Sequence, residues 1–205
     1  MRQFSLVLSV VFNPLLIGTY LFWTFTFVYP EIFWPYSQKQ HLWLFGIFAI
    51  GTLIMPAVSL VFLRTTGYIS GFEIEDRKQR PIPFFFITFW HVVVSYLFIA
   101  KLSLGWHMTI IMFTTTFLIA LLTLITFRFK ISIHSAGIWG AAGYLSAIIV
   151  RGHQREVLLP LIIVFLIAGA VGTARLYLNR HTLKEVAYGA LLGFAISFLS
   201  LYVYW

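Results

Sequence analysis

In 205 residues the chain carries only 10% charged side chains against 60% hydrophobic ones, with a mean hydropathy of +0.93. Soluble domains carry about 25% charged residues, so this composition excludes an ordinary water-soluble domain and points to a single integral membrane domain over residues 1–205. The net charge of +8 is not a nucleic-acid signature, because little solvated face exists to display it, and the absence of cysteine excludes a disulfide, an iron–sulfur cluster and thiol chemistry.

Taken in order, the apolar runs have the length of membrane-spanning helices, about 17 to 25 residues. Seven are expected, making an all-α bundle of six to seven spans: residues 4–29, 41–63, 83–100, 106–127, 133–150, 157–173 and 186–205. The first is too long for the apolar core of a signal peptide and reads as a retained span. With seven spans, the polar stretches 64–82, 128–132 and 174–185 share the side of the N-terminus. Ten of the fourteen Lys and Arg also fall there. By the positive-inside rule that side is cytoplasmic, although site residues bias the count and the sidedness stays open. The expected location is a bacterial inner membrane.

Aromatics make up 19% of the chain and cluster near span ends, as in Phe33-Trp34-Pro35-Tyr36 and residues 202–205. They read as an interfacial belt. The Gly- and Ala-rich run 136–143 predicts a helix packed closely on a neighbour. His91, inside the third span, is expected to bond across helices, while His41, His107 and His153 read as interfacial.

Three polar stretches carry the candidate chemistry. The first is Glu73-Ile74-Glu75-Asp76-Arg77-Lys78-Gln79-Arg80-Pro81, which alone also reads as a solvated loop before a Pro-started helix. The second, Lys130-Ile131-Ser132-Ile133-His134-Ser135, opens the fifth span. There a hydroxyl and an imidazole stand beside unpaired helix N–H groups, an arrangement suited to an anion. A plain N-cap role for Ser132 is the alternative. In the third, Ala174-Arg175-Leu176-Tyr177-Leu178-Asn179-Arg180-His181-Thr182-Leu183-Lys184-Glu185, His181 and Glu185 are four apart. On a helix that spacing lets a carboxylate fix the imidazole tautomer and leave the other nitrogen as nucleophile or base.

Together and in order, these stretches resemble the signature motifs of the type 2 phosphatidic acid phosphatase superfamily. That pattern runs Lys-x6-Arg-Pro, Pro-Ser-Gly-His and Ser-Arg-x5-His-x3-Asp. Arg80-Pro81, Ser132-Ile133-His134 and Arg175-x5-His181-x3-Glu185 match it, over residues 73–195. Glu73 stands where the pattern has Lys, Ile131 for Pro, Ile133 for Gly, Ala174 for Ser and Glu185 for Asp.

The resemblance implies a membrane lipid phosphatase needing no metal or other cofactor. It would act on a lipid phosphate or diphosphate of the phosphatidate, phosphatidylglycerophosphate, polyprenyl diphosphate or lipid A type. Arg80, Arg175, Lys78 and Ser132 would hold phosphate, His181 would attack it with Glu185 behind, and His134 would protonate the leaving group. The chemistry is consistent with this, since guanidinium forks match phosphate oxygens. Asp76 is the one Asp, and the carboxylates are too few and scattered for a magnesium-dependent alternative. A non-catalytic lipid-binding or transport protein on the same fold is the rival expectation, and haem held by His134 and His181 is a further one.

Overall fold

A computed structural model of the chain describes residues 2–72, 74 and 76–205. Among these residues regular structure is helical and no strand occurs. Eight helices are distinguished: α1 (Arg2–Val11), α2 (Pro14–Val28), α3 (Gln38–Thr65), α4 (Pro81–Lys101), α5 (Trp106–Thr126), α6 (Ile133–Gly152), α7 (Arg155–Tyr177) and α8 (Leu183–Val203). The six from α3 to α8 are each long and apolar enough to cross a membrane, and the bent pair α1–α2 makes a seventh if counted as one span. The chain is therefore an all-α bundle of membrane-spanning helices.

The first expected span, 4–29, is not continuous. α1 and α2 meet at a bend of 59° for a local reason. Pro14 lacks an N–H and would crowd the turn before it if a helix ran through. Instead Asn13 takes an extended conformation, its side chain accepts from Leu15 N, and Pro14 becomes the first residue of α2. The carbonyls left over at the end of α1 find other donors. Phe12 N and Asn13 N bond to Leu8 O and Val10 O, and the Tyr20 hydroxyl bonds to Val11 O at 2.9 Å.

α1 is amphipathic in reverse. Ser5 and Ser9 are buried, whereas Phe4, Val7 and Val10 are exposed, the orientation of a helix with lipid outside and protein inside.

The other boundaries move by a few residues. α3 starts earlier than expected because Ser37 and Gln40 form a capping box. Inside it, Pro56 has no N–H to offer Thr52, and the helix widens to a π turn at Ile50–Ile54 just before it. α7 runs on to Tyr177, so only residues 178–182 of the expected polar break 174–185 lie outside helices.

α6 is the central helix, packed by α2, α7 and α8 and buried along most of its length. The small-residue run that marks it meets the small residues of α8. A Cβ on Gly193 would stand 2.1 Å from Ala136 O, and one on Gly189 2.4 Å from Ser132 O. The two backbones touch, as the Gly-Ala run predicts.

The expected aromatic belt is only partly one. Trp34, Trp43 and Trp106 are exposed, but Phe33 is fully buried with Phe22, Phe25, Phe48 and Phe98. Trp205 packs on Gly152 and on the His107 ring.

Candidate functional site

The third polar stretch is built by two helix ends. α7 closes in a Schellman turn: Asn179 takes the left-handed conformation, Asn179 N bonds to Leu176 O at 2.9 Å, and Arg180 N reaches back to Arg175 O at 3.1 Å. The chain doubles back after Arg175, and the next residue out, His181, lines the same cavity as Arg175. Thr182 then caps α8. Its hydroxyl accepts from Glu185 N at 3.4 Å while Glu185 Oε2 accepts from Thr182 N at 3.3 Å, a capping box.

The same Oε2 lies 2.7 Å from His181 Nδ1, with both side chains largely buried. The sequence spacing implies a pair stacked on a helix face. Instead His181 precedes the N-cap, and the contact arises because the capping box turns the Glu185 carboxylate back over the helix start. A carboxylate only accepts, so Nδ1 carries the proton and Nε2 keeps its lone pair. Burial lowers the His181 pKa below the ordinary histidine value; the hydrogen bond to Glu185 opposes this, and the charges of Arg175 and Arg80 add to it. The imidazole is therefore neutral at neutral pH.

The second stretch is tied to the third through the backbone. Ser132 N donates to Glu185 O at 3.1 Å and the Ser135 hydroxyl to Val186 O at 2.9 Å. Ser132 is fully buried, and its hydroxyl accepts from Ser135 N at 3.4 Å. It is the N-cap of α6, the alternative role left open in the sequence, and does not line the cavity.

His134, in the first turn of α6, does line the cavity. Its Nε2 lies 3.1 Å from Ser9 O, a terminal carbonyl of α1, so Nε2 is the donor and Nδ1 is the nitrogen left for a ligand.

From the first stretch, Arg80 is 4% exposed. Its Nε donates to Ile74 O at 2.9 Å and another of its nitrogens to Ile131 O at 3.4 Å. Ile74 has φ +42°, a costly conformation for a β-branched residue. The Arg80 bond and burial against Leu60, Leu63 and Ile69 hold it there. Burial lowers the Arg80 pKa, opposed by Glu185 and reinforced by Arg175, and it stays charged at any ordinary pH.

Lys78 differs from expectation. It is exposed on the short Arg77–Gln79 turn, which Asp76 caps by accepting from Lys78 N at 2.9 Å, and does not line the cavity. Glu73, where the motif pattern has Lys, lies outside the described residues.

Arg80, His134, Arg175 and His181 thus line one cavity of about 450 Å³, which continues between α2, α4, α5 and α6. His181 also borders an outer recess with Lys130, Asn179, Arg180 and Glu185. The nucleophile candidate therefore faces both an apolar interior and a polar exterior. Among the described residues no group of three or more His, Asp and Glu could hold a metal ion.

Sequence reading missed the part played by α1. The Ser5, Ser9, Asn13 spacing, one face of a helix at four-residue steps, was the signal for it. His91 also departs from expectation: Nδ1 bonds to Ile87 O of its own helix at 3.2 Å, and the ring lines the cavity. His41, in the first turn of α3, is buried, with Nε2 2.9 Å from Tyr36 O.

Comparison with family models, with curated proteins and with solved structures finds no match to this chain.

Proposed function

We propose that the protein is a membrane lipid phosphatase that hydrolyses a lipid phosphate or diphosphate through a phosphohistidine, with a site similar to that of the type 2 phosphatidic acid phosphatases. One observation carries the reading. Two arginines and two histidines from three separate stretches converge on one end of a cavity whose remaining wall is mostly apolar.

Phosphoryl transfer needs positive charge around the equatorial oxygens and an in-line nucleophile. Arg80 and Arg175 supply the charge, and their bidentate geometry suits phosphate. The Nε2 lone pair of His181 attacks phosphorus, the bond to the leaving oxygen breaks, and Glu185 stabilises the charge gained on the ring. His134 takes up a proton on Nδ1 as the anionic substrate binds, keeps Nε2–H on Ser9 O, and gives the Nδ1 proton to the leaving alkoxide. It then accepts a proton from water. The hydroxide so formed breaks the P–N bond and releases phosphate. The outer recess beside His181 gives water a route that does not cross the apolar cavity.

The test is phosphate release from a panel of lipid phosphates, in detergent with EDTA, by wild type and His181→Ala. Activity should survive EDTA and fall at least about 10³-fold in the variant, the scale of losing a covalent nucleophile. No release by folded wild-type protein would overturn the reading in favour of a lipid-binding role, and release that requires metal would overturn the mechanism.

A further inference from the structure

The cavity continues well past the four charged and titratable groups. α5 contributes one face to it, from Leu122 and Thr123 near the site to Ile111 and Met108 at the far end. The fifteen-residue step from Met108 to Thr123 spans about 22 Å at the helical rise per residue, and the hydrocarbon core of a bilayer is about 30 Å thick. α2 runs alongside, lining the cavity from Pro14 to Phe25.

Charge lies at one end only. Hydroxyls in the deeper wall are engaged within the protein: Tyr144 with Thr115 at 3.0 Å, and Ser95 with Thr116 at 2.6 Å and Met112 O at 3.3 Å. What this wall offers a ligand is therefore mostly hydrocarbon and aromatic edge, interrupted by the His91 ring.

We infer that the bundle interior is a chain-binding chamber. The substrate's phosphate sits on Arg80 and Arg175, and one hydrocarbon chain, alkyl or prenyl, threads between α2, α4, α5 and α6 toward Met108 and Phe25. This rests on the phosphatase reading and deepens it: the substrate is a lipid phosphate or diphosphate whose hydrocarbon chain is held inside the bundle and not in the surrounding bilayer.

Two features carry the inference. The cationic end selects an anionic head. The long axis follows the helices, so a lipid entering from the site-side leaflet keeps its chain in the direction it already had.

The chamber fixes a chain-length dependence that a headgroup site alone would lack. Ile111, 2% exposed and far from the catalytic cluster, is the place to shorten it. In wild type, kcat/KM over a series from octyl to hexadecyl phosphate should rise with chain length. Ile111→Trp should lower kcat/KM for hexadecyl phosphate at least about tenfold, since single methylenes in a fitted apolar pocket already discriminate by that much. Octyl phosphate turnover should stay unchanged, which also shows that the variant folds. An equal effect at every chain length or a flat wild-type profile would overturn the chamber while leaving the phosphatase reading intact.

A second arm needs no turnover. Hexadecyl phosphonate with a photoreactive terminal carbon is crosslinked to wild type, and the adducts are mapped. Adducts on Met108, Ile111 or Phe25 support the chamber even if no lipid phosphate is hydrolysed, an outcome that would sink only the phosphatase reading. Adducts confined to outward-facing residues such as Val58 or Phe85 would overturn the chamber.

Discussion

Glu185 does two jobs with one oxygen: it closes the capping box of α8 and holds His181 Nδ1–H. Glu185→Gln separates them. A glutamine at this position still caps, so thermal stability should change little. Without the carboxylate, the tautomer and the charge formed on His181 are no longer supported. An equivalent change in a serine-protease triad costs about 10⁴ in kcat, and a fall of at least about 10²-fold is expected here. Burial and the two arginines hold His181 neutral below the ordinary histidine range, so the acid limb of kcat/KM should lie below pH ~6.5. On the proposed mechanism, activity should be lost as pH falls, when His181 gains a proton. Arg80→Gln removes one of the charges opposing that proton, and the limb should move to higher pH along with the loss of phosphate binding. Lys78 gives the opposite case. Being exposed and outside the cavity, it should tolerate replacement by Ala with kcat/KM within about twofold, a surface change far from any specific contact.

At the scale of elements, the α6–α8 contact fixes where His134 and His181 stand relative to each other. Ser132 N and the Ser135 hydroxyl bond to the first turn of α8, and Gly189 and Gly193 let the two backbones touch. Gly193→Ala puts a Cβ against the backbone of Ala136, which cannot rotate away. It should cost about 1–3 kcal/mol, as overpacking does, and lower kcat as well, because one half of the site moves with each helix. Gly169 in α7 is the control, since a Cβ there meets nothing within 4 Å. Gly169→Ala should be neutral or stabilise by up to about 1 kcal/mol. Thermal unfolding in detergent and kcat on the same preparations would check both. The second-motif stretch therefore has a structural role independent of any catalysis, because the N-cap of α6 is the point at which α8 is gripped.

For the whole molecule, the absence of cysteine makes topology measurable by single-cysteine labelling. Lys78 and Arg128 are exposed at the site end, and Lys39 and Arg155 at the opposite end. In oriented vesicles Lys78→Cys and Arg128→Cys should react with a membrane-impermeant thiol reagent from one side, and Lys39→Cys and Arg155→Cys from the other. Labelling of Lys78→Cys and Lys39→Cys from the same side would contradict the arrangement of α3 and α4 as crossing helices.

Membrane character, helix number and the small-residue face of α6 were legible in the chain itself, because burying backbone in lipid demands long apolar helices and close helix packing demands small side chains. Helix-end grammar was legible in part: Ser132 reads as the cap of α6 through a contact three residues away, whereas the break at Asn13-Pro14 and the capping box of Thr182 with Glu185, equally local, were hidden inside an apolar run and a motif. Long-range placement was not legible. Lys78 turning outward, His134 meeting the end of α1 and the cavity running past Tyr144 each depend on residues tens of positions apart. A sequence records side-chain chemistry and local geometry. Which buried groups face one another is decided only when the helices pack, since burial, and with it the strength of every charge in the site, exists only in the folded bundle.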